Sequence, residues 1–229
     1  MANNIPINVR IKFKKTGNLQ YVSHLDLVRT MHKIVVRSKL PLWYTEGFNP
    51  KPKMVFAAPL SVGVESFTEF MDLRVTERID PQNVIETLNS NMTDDLKVLE
   101  AYYPDSKLTD LKWFLYSICI HTDGASVDLA DKCQNALDAE VIQILKKTKS
   151  GEANVDIKPL VKNSEAFFNG NDIIISCVLS ADSSSFLNPE YVIGYLKKEC
   201  GILLSGCLVS EWYTIKREQA YTSEMVPFR

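Results

Sequence analysis

The sequence predicts an α+β protein of two tandem ferredoxin-like units, each running βαββαβ, with antiparallel sheets and helices on one face. Three observations predict it. Hydrophobic periodicity switches between 2 and 3.6 in that order in each half. Two helices open on matching pairs, Asp80-Pro81 and Asn188-Pro189. The closing strands also match, Val98-Leu99-Glu100-Ala101-Tyr102 against Val209-Ser210-Glu211-Trp212-Tyr213. The boundary is expected near Pro104–Asp110, giving an N-terminal unit of residues 1–106 and a C-terminal unit of 107–229.

In the first unit Ile7, Val9, Ile11 and Phe13 alternate with Asn8, Arg10, Lys12 and Lys14, the period of a half-buried strand. Thr16-Gly17-Asn18 turns the chain into a helix opened by Ser23, about 16 residues long. Its apolar stripe is Leu27, Met31, Ile34 and Val35. Pro41 limits it, and Leu42-Trp43-Tyr44 and Met54-Val55-Phe56 are extended on either side of a polar loop. Met71, Leu73 and Val75 alternate with Phe70, Asp72 and Arg74 as the next strand. Asp80 then caps a helix with Pro at its first position, Val84, Ile85 and Leu88 face the core, and Leu96–Tyr103 closes the unit.

The second unit repeats the order. Phe114–His121 reads as a strand, and Val127–Lys147 as a long helix with Leu129, Cys133, Leu137, Val141 and Ile144 on one face. Asn154–Val161 and Asp172–Leu179 read as strands around the Asn169-Gly170 turn. Asn188-Pro189 starts a helix that Cys200-Gly201 ends, and the last strand spans Val209–Tyr213.

Composition is that of a packed globular protein: 45% apolar and 24% charged over 229 residues. The opening Met-Ala-Asn-Asn-Ile-Pro has no basic and apolar leader pattern, and charges interrupt every apolar run. A cytoplasmic protein without a membrane span is expected. The five cysteines (Cys119, Cys133, Cys177, Cys200, Cys207) match no metal-binding spacing and read as buried thiols, so no metal and no cofactor is expected. Net charge is only −2, yet residues 1–60 hold ten Lys/Arg against two acids. That asymmetry suggests a local anion-facing surface.

Three elements supply it. Arg29, Lys33 and Arg37 recur every four residues opposite the apolar stripe, Arg10 and Lys12 project from the first strand, and Lys51 and Lys53 flank the loop. A charged stripe is often only a solvated helix face. Three contributing elements with few acids make phosphate-backbone binding the competing reading. Phe70, Trp43, Tyr44 and Phe48 offer stacking faces for unpaired bases. Ser23 with Asp26 resembles a capping box. His24 is not required by any cap; it reads either as a half-buried histidine or as a general base, the weak catalytic candidate of the chain. No Gly-rich phosphate loop, metal-binding helix or nucleophile elbow is present.

Lys15-Thr16-Gly17-Asn18-Leu19, then Ser23-His24-Leu25-Asp26-Leu27 with Arg29, then Leu40-Pro41-Leu42 and Gly47-Phe48-Asn49-Pro50-Lys51-Pro52, then Pro59 through Ser66, follow in order with short spacers. On these residues the chain resembles the radical-SAM-linked protein family, a domain encoded beside or fused to a radical-SAM protein. The resemblance implies a radical-SAM partner, with Ser23, His24, Asp26, Gly47, Phe48, Asn49, Pro50 and Pro52 as motif positions. Lys51 stands where that pattern has Arg, which keeps a charge but loses a bidentate fork. The first 118 residues hold no cysteine, so the three-cysteine cluster of such an enzyme cannot sit there. The expected function is thus a non-catalytic accessory protein that binds RNA. Two alternatives stay open. One is a metal-independent endoribonuclease resembling CRISPR repeat-processing enzymes, with His24 as base and Lys12 or Arg29 steadying the phosphorane. The other is a pure protein-interaction module.

Overall fold

A computed structural model describes residues 5–148 and 151–229. The chain divides into two compact units, Met1–Leu111 with Pro227–Arg229, and Lys112–Val226. Each is α+β with antiparallel strands and two α-helices. The last three residues rejoin the first unit, which a boundary drawn once along the chain does not anticipate.

Unit 1 runs β1 (Ile7–Lys15), α1 (His24–Arg37), β2 (Met54–Phe56), β3 (Val64–Val75), α2 (Pro81–Asn89) and β4 (Leu96–Tyr102). Strand β1 lies between β4 and β3, and β2 adds to the other side of β3, every pairing antiparallel. Strand alternation sends Val9, Ile11 and Phe13 to the side where Leu27, Met31, Val35, Val84 and Leu88 pack, all essentially inaccessible to water. Each such side chain contributes roughly 1.5–3 kcal/mol by burial. Both helices begin as their caps dictate. Ser23 Oγ accepts from Asp26 N–H, and Asp80 accepts from Gln82 N–H with Pro81 in the first turn.

Unit 2 runs β5 (Trp113–His121), α3 (Val127–Asp138), β6 (Gln143–Thr148), β7 (Gly151–Asp156), β8 (Val161–Phe168), β9 (Ile173–Ser180), α4 (Glu190–Cys200) and β10 (Trp212–Tyr221). The order is β10-β5-β9-β8, with β6 and β7 paired apart as a hairpin. Three expectations are corrected here. The long helix stops at Asp138, because Ile142 and Ile144 are buried at strand spacing while Val141 is exposed. The strand before the Asn169 turn is β8, not Asn154–Val161, since the hairpin occupies part of that span. The last strand begins only at Trp212, with Val209 and Ser210 in the preceding loop. Gly201 does end α4, in the left-handed conformation at φ 79°. No helix among the described residues is long and apolar enough to cross a membrane.

Candidate nucleic-acid interface

The outer face of α1 begins at its cap. Ser23 Oγ donates to Asp26 Oδ2 at 2.7 Å, and Arg29 Nη1 donates to Asp26 Oδ1 at 3.0 Å. The Ser23 hydroxyl first, and then the Arg29 guanidinium, hold the Asp26 carboxyl below its usual range. Arg29 keeps 64% of its side chain in water, and Lys33 and Arg37 are exposed one and two turns further on. Neither of these two has an ion-pair partner among the described residues.

Beyond α1 the motif loop is built as a projecting hairpin. Trp43 N–H donates to Arg74 O, Lys53 N–H to Trp43 O, and Thr45 N–H to Lys51 O, at 2.8–2.9 Å. Lys51 N–H also donates to Thr45 Oγ1. Tyr44 and Pro52 form the last bridge, and residues 46–50 make an exposed tip. Gly47 sits at φ 120°, a conformation closed to side chains, and Phe48 projects fully into solvent. Lys51 and Lys53 are exposed at its base, and Tyr44 is 42% exposed.

Two expected contacts are corrected. Arg10 is buried, not projecting: its Nε donates to Asp72 Oδ1 at 2.7 Å, and its Nη1 to Ser106 Oγ at 2.7 Å and Arg229 O at 3.1 Å. Phe70 is buried too, edge-on to Phe228 at 4.9 Å. Both sit on the sheet face away from the helices, which residues 227–229 cover; Phe228 lies under the Arg10 guanidinium at 4.9 Å. Lys12, on that same face, is half-buried and paired with Glu100 at 3.3 Å.

His24 is half-buried, its ring edge-on to Phe56 at 5.6 Å, and Phe56 is edge-on to Phe13. Because Phe13 faces the helices, Lys12 points to the opposite side of β1. His24 and Lys12 are therefore not brought together, and Arg29 is engaged by Asp26. The arrangement assembles no phosphodiester-cleaving set around His24 among the described residues.

The other motif segments close one end of unit 1. Gly17 N–H donates to Glu65 Oε1 at 2.6 Å, Gly63 N–H to Gln20 O, and Thr16 N–H to Asp95 O. Buried Lys15 caps the carbonyls of Gln20 and Val22. These contacts explain the motif as architecture. Of the cysteines, Cys133, Cys177 and Cys200 are buried; burial pushes the thiols of Cys133 and Cys177 up to about 12. Sequence spacing missed one polar cluster altogether, the pair His121 and Asp172, which only the register of β5 on β9 brings together.

Among solved structures, a Cbf5-Nop10-Gar1 complex is similar at a TM-score of 0.48 and 10% identity. An archaeal box H/ACA sRNP Nop10-Cbf5 complex is similar at 0.46 and 12%. Both likenesses cover 93% of this chain and 48% of the other, so the chain spans about half the length of those it resembles. No curated protein matches it. A family model does match, over residues 8–189, and the chain belongs to the family described as uncharacterised proteins conserved in bacteria, DUF2344.

Proposed function

We propose that the protein is a non-catalytic, cytoplasmic accessory factor whose first unit binds RNA for a radical-SAM enzyme. One observation carries the RNA reading: exposed Arg29, Lys33 and Arg37 along α1, with Lys51 and Lys53 at the base of a hairpin that holds Phe48 in solvent. Cations tracking a backbone beside an exposed aromatic ring suit single-stranded nucleic acid. The radical-SAM partner rests on the motif resemblance alone. We further read the two units, residues 1–106 and 107–229, as copies of one ferredoxin-like βαββαβ unit. Support comes from the same strand placement in each: the first strand lies between the fourth and the third, and the second is outermost on the third.

Retention of cellular RNA on filters at two salt concentrations tests the reading. Binding is expected to fall steeply with salt. Arg29→Gln, Lys33→Gln and Arg37→Gln together should lower the slope by about one unit per lost phosphate contact. An unchanged slope in the folded triple variant overturns the α1 assignment.

A further inference from the structure

The chemistry left unused lies in unit 2, on the sheet face away from its core. Along β5, Phe114, Tyr116, Ile118 and Ile120 are buried, which turns Cys119 and His121 to the opposite, half-exposed face. The pairing of Ile120 with Ile173 sets Asp172 beside His121, and β10 pairs Trp212 with His121 from the other side. Asp172, His121 and Trp212 thus form one row across three strands.

The row is locked. His121 Nδ1 lies 2.6 Å from Asp172 Oδ1, and the imidazole stacks on the indole at 5.3 Å and 18°. The second Asp172 oxygen accepts the Cys119 thiol at 3.5 Å. Asp172 N–H donates to Asn169 Oδ1 at 2.8 Å, and Asn169 N–H donates back to Asp172 O at 3.1 Å, so the β8–β9 turn fixes the Asp172 backbone. Both carboxylate oxygens are engaged within the protein, and the ring of His121 is fixed in tilt and direction. Its Nε2 has no partner among the described residues. Trp212 is backed by the imidazole yet remains 41% exposed, a rigid aromatic platform beside one directed polar atom. Thr214 and then Lys216 follow on the same side of β10, opposite Cys119 and Ser117 of β5. Four residues before Cys119, toward the start of β5, an open cleft of about 620 Å³ is floored by Leu115, Ser176 and Val178.

We propose that this row is a nucleobase site, where an unpaired base of single-stranded RNA stacks on Trp212. His121 Nε2 meets the edge of the base, and Lys216 lies on the side of the adjoining phosphate. A base uses its flat face for stacking, its edge for one directed hydrogen bond and its phosphate for a cation. The inference rests on the RNA reading of unit 1, and adds base contact to backbone contact.

Trp212 reports on itself once the other two tryptophans are removed as Trp43→Phe and Trp113→Phe. Titration with a short oligouridylate should quench its emission with the midpoint seen by filter retention. Trp212→Ala should weaken binding about tenfold and leave the salt slope unchanged, while Trp212→Phe retains most of the affinity. His121→Ala should weaken binding in the same way. RNA retained with unchanged Trp212 emission, and with wild-type affinity in Trp212→Ala, overturns the site and leaves unit 1 as the RNA surface. No retention of any RNA by the unaltered protein overturns the RNA reading and this site with it.

Discussion

Arg10 and Asp72 face each other across β1 and β3, with Arg10 Nε 2.7 Å from Asp72 Oδ1 and the guanidinium wholly out of water. Removing one partner of such a pair strands a buried charge, which costs about 3–5 kcal/mol. Asp72→Ala should fall at the lower end, because Ser106 and Arg229 still accept from Arg10. The double variant Arg10→Met, Asp72→Leu should recover much of the loss, since an apolar pair of similar volume leaves no charge behind. Urea unfolding measures both; an Asp72→Ala loss under about 1 kcal/mol would contradict the pairing.

The same residue shows where sequence reasoning reached and where it stopped. Alternation along Ile7–Phe13 correctly put Arg10 on the face away from the helices. That face is covered by Phe228, more than two hundred residues away in sequence, and no local period encodes such a contact. The caps were legible because their chemistry is local: Ser23 and Asp80 bond within three residues. The overrun of α3 had a readable counter-signal, Ile142 and Ile144 at period two, hidden because Val141 and Ile144 also continue a helical stripe. The exposed stretch of Arg29, Lys33 and Arg37 was legible from helix period alone. His121 and Asp172 were not, since only strand register joins them.

Gly17 sits at φ 57°, and a Cβ there would lie 2.8 Å from the Asp95 carboxyl. Asp95 is exposed and its carboxyl can swing aside, so Gly17→Ala should cost roughly the 1–2 kcal/mol of the left-handed backbone. Gly47→Ala meets nothing within 4 Å, so it carries backbone strain only. Thermal melts should show both variants below the unaltered protein, and an unchanged midpoint for Gly17→Ala would refute the left-handed backbone at that turn.

Ser23→Ala removes the hydroxyl that both caps α1 and bonds the Asp26 carboxylate. Loss of the cap should cost about 1 kcal/mol. The Asp26 carboxyl should also rise toward its ordinary range, as its largest depressing contact is gone. Carboxyl NMR titration checks the second part. An unmoved Asp26 would mean that Arg29 holds it alone.

Phe48 touches solvent on every side, so Phe48→Ala should leave the melting temperature unchanged. Its effect belongs to binding: loss of one stacked base costs about 1–3 kcal/mol, or roughly fivefold in affinity at the lower end. Filter retention at fixed salt measures it. Wild-type affinity in the variant would remove the hairpin from the RNA surface and leave α1 alone.

Glu211 closes the loop before β10. Its carboxylate accepts from Ser205 Oγ at 2.5 Å, Thr122 Oγ1 at 2.5 Å, Ser205 N–H at 2.6 Å and Asp123 N–H at 3.2 Å. These donors, the Ser205 hydroxyl foremost, hold the carboxyl down at about 2. A depressed carboxylate stabilises the fold above its ordinary titration range near 4.5, and that stability is lost as pH falls toward 2. Thr122 Oγ1 also accepts from Leu203 N–H, so protonation of Glu211 loosens both the 203–210 loop and the entrance to α3. Glu211→Gln should lower stability at neutral pH and flatten the acid limb between about 4.5 and 2, because the amide has no charge to lose. Melting temperatures of both proteins across that range decide the matter: convergence at low pH is expected, and parallel curves would show that the carboxylate does not govern the acid response.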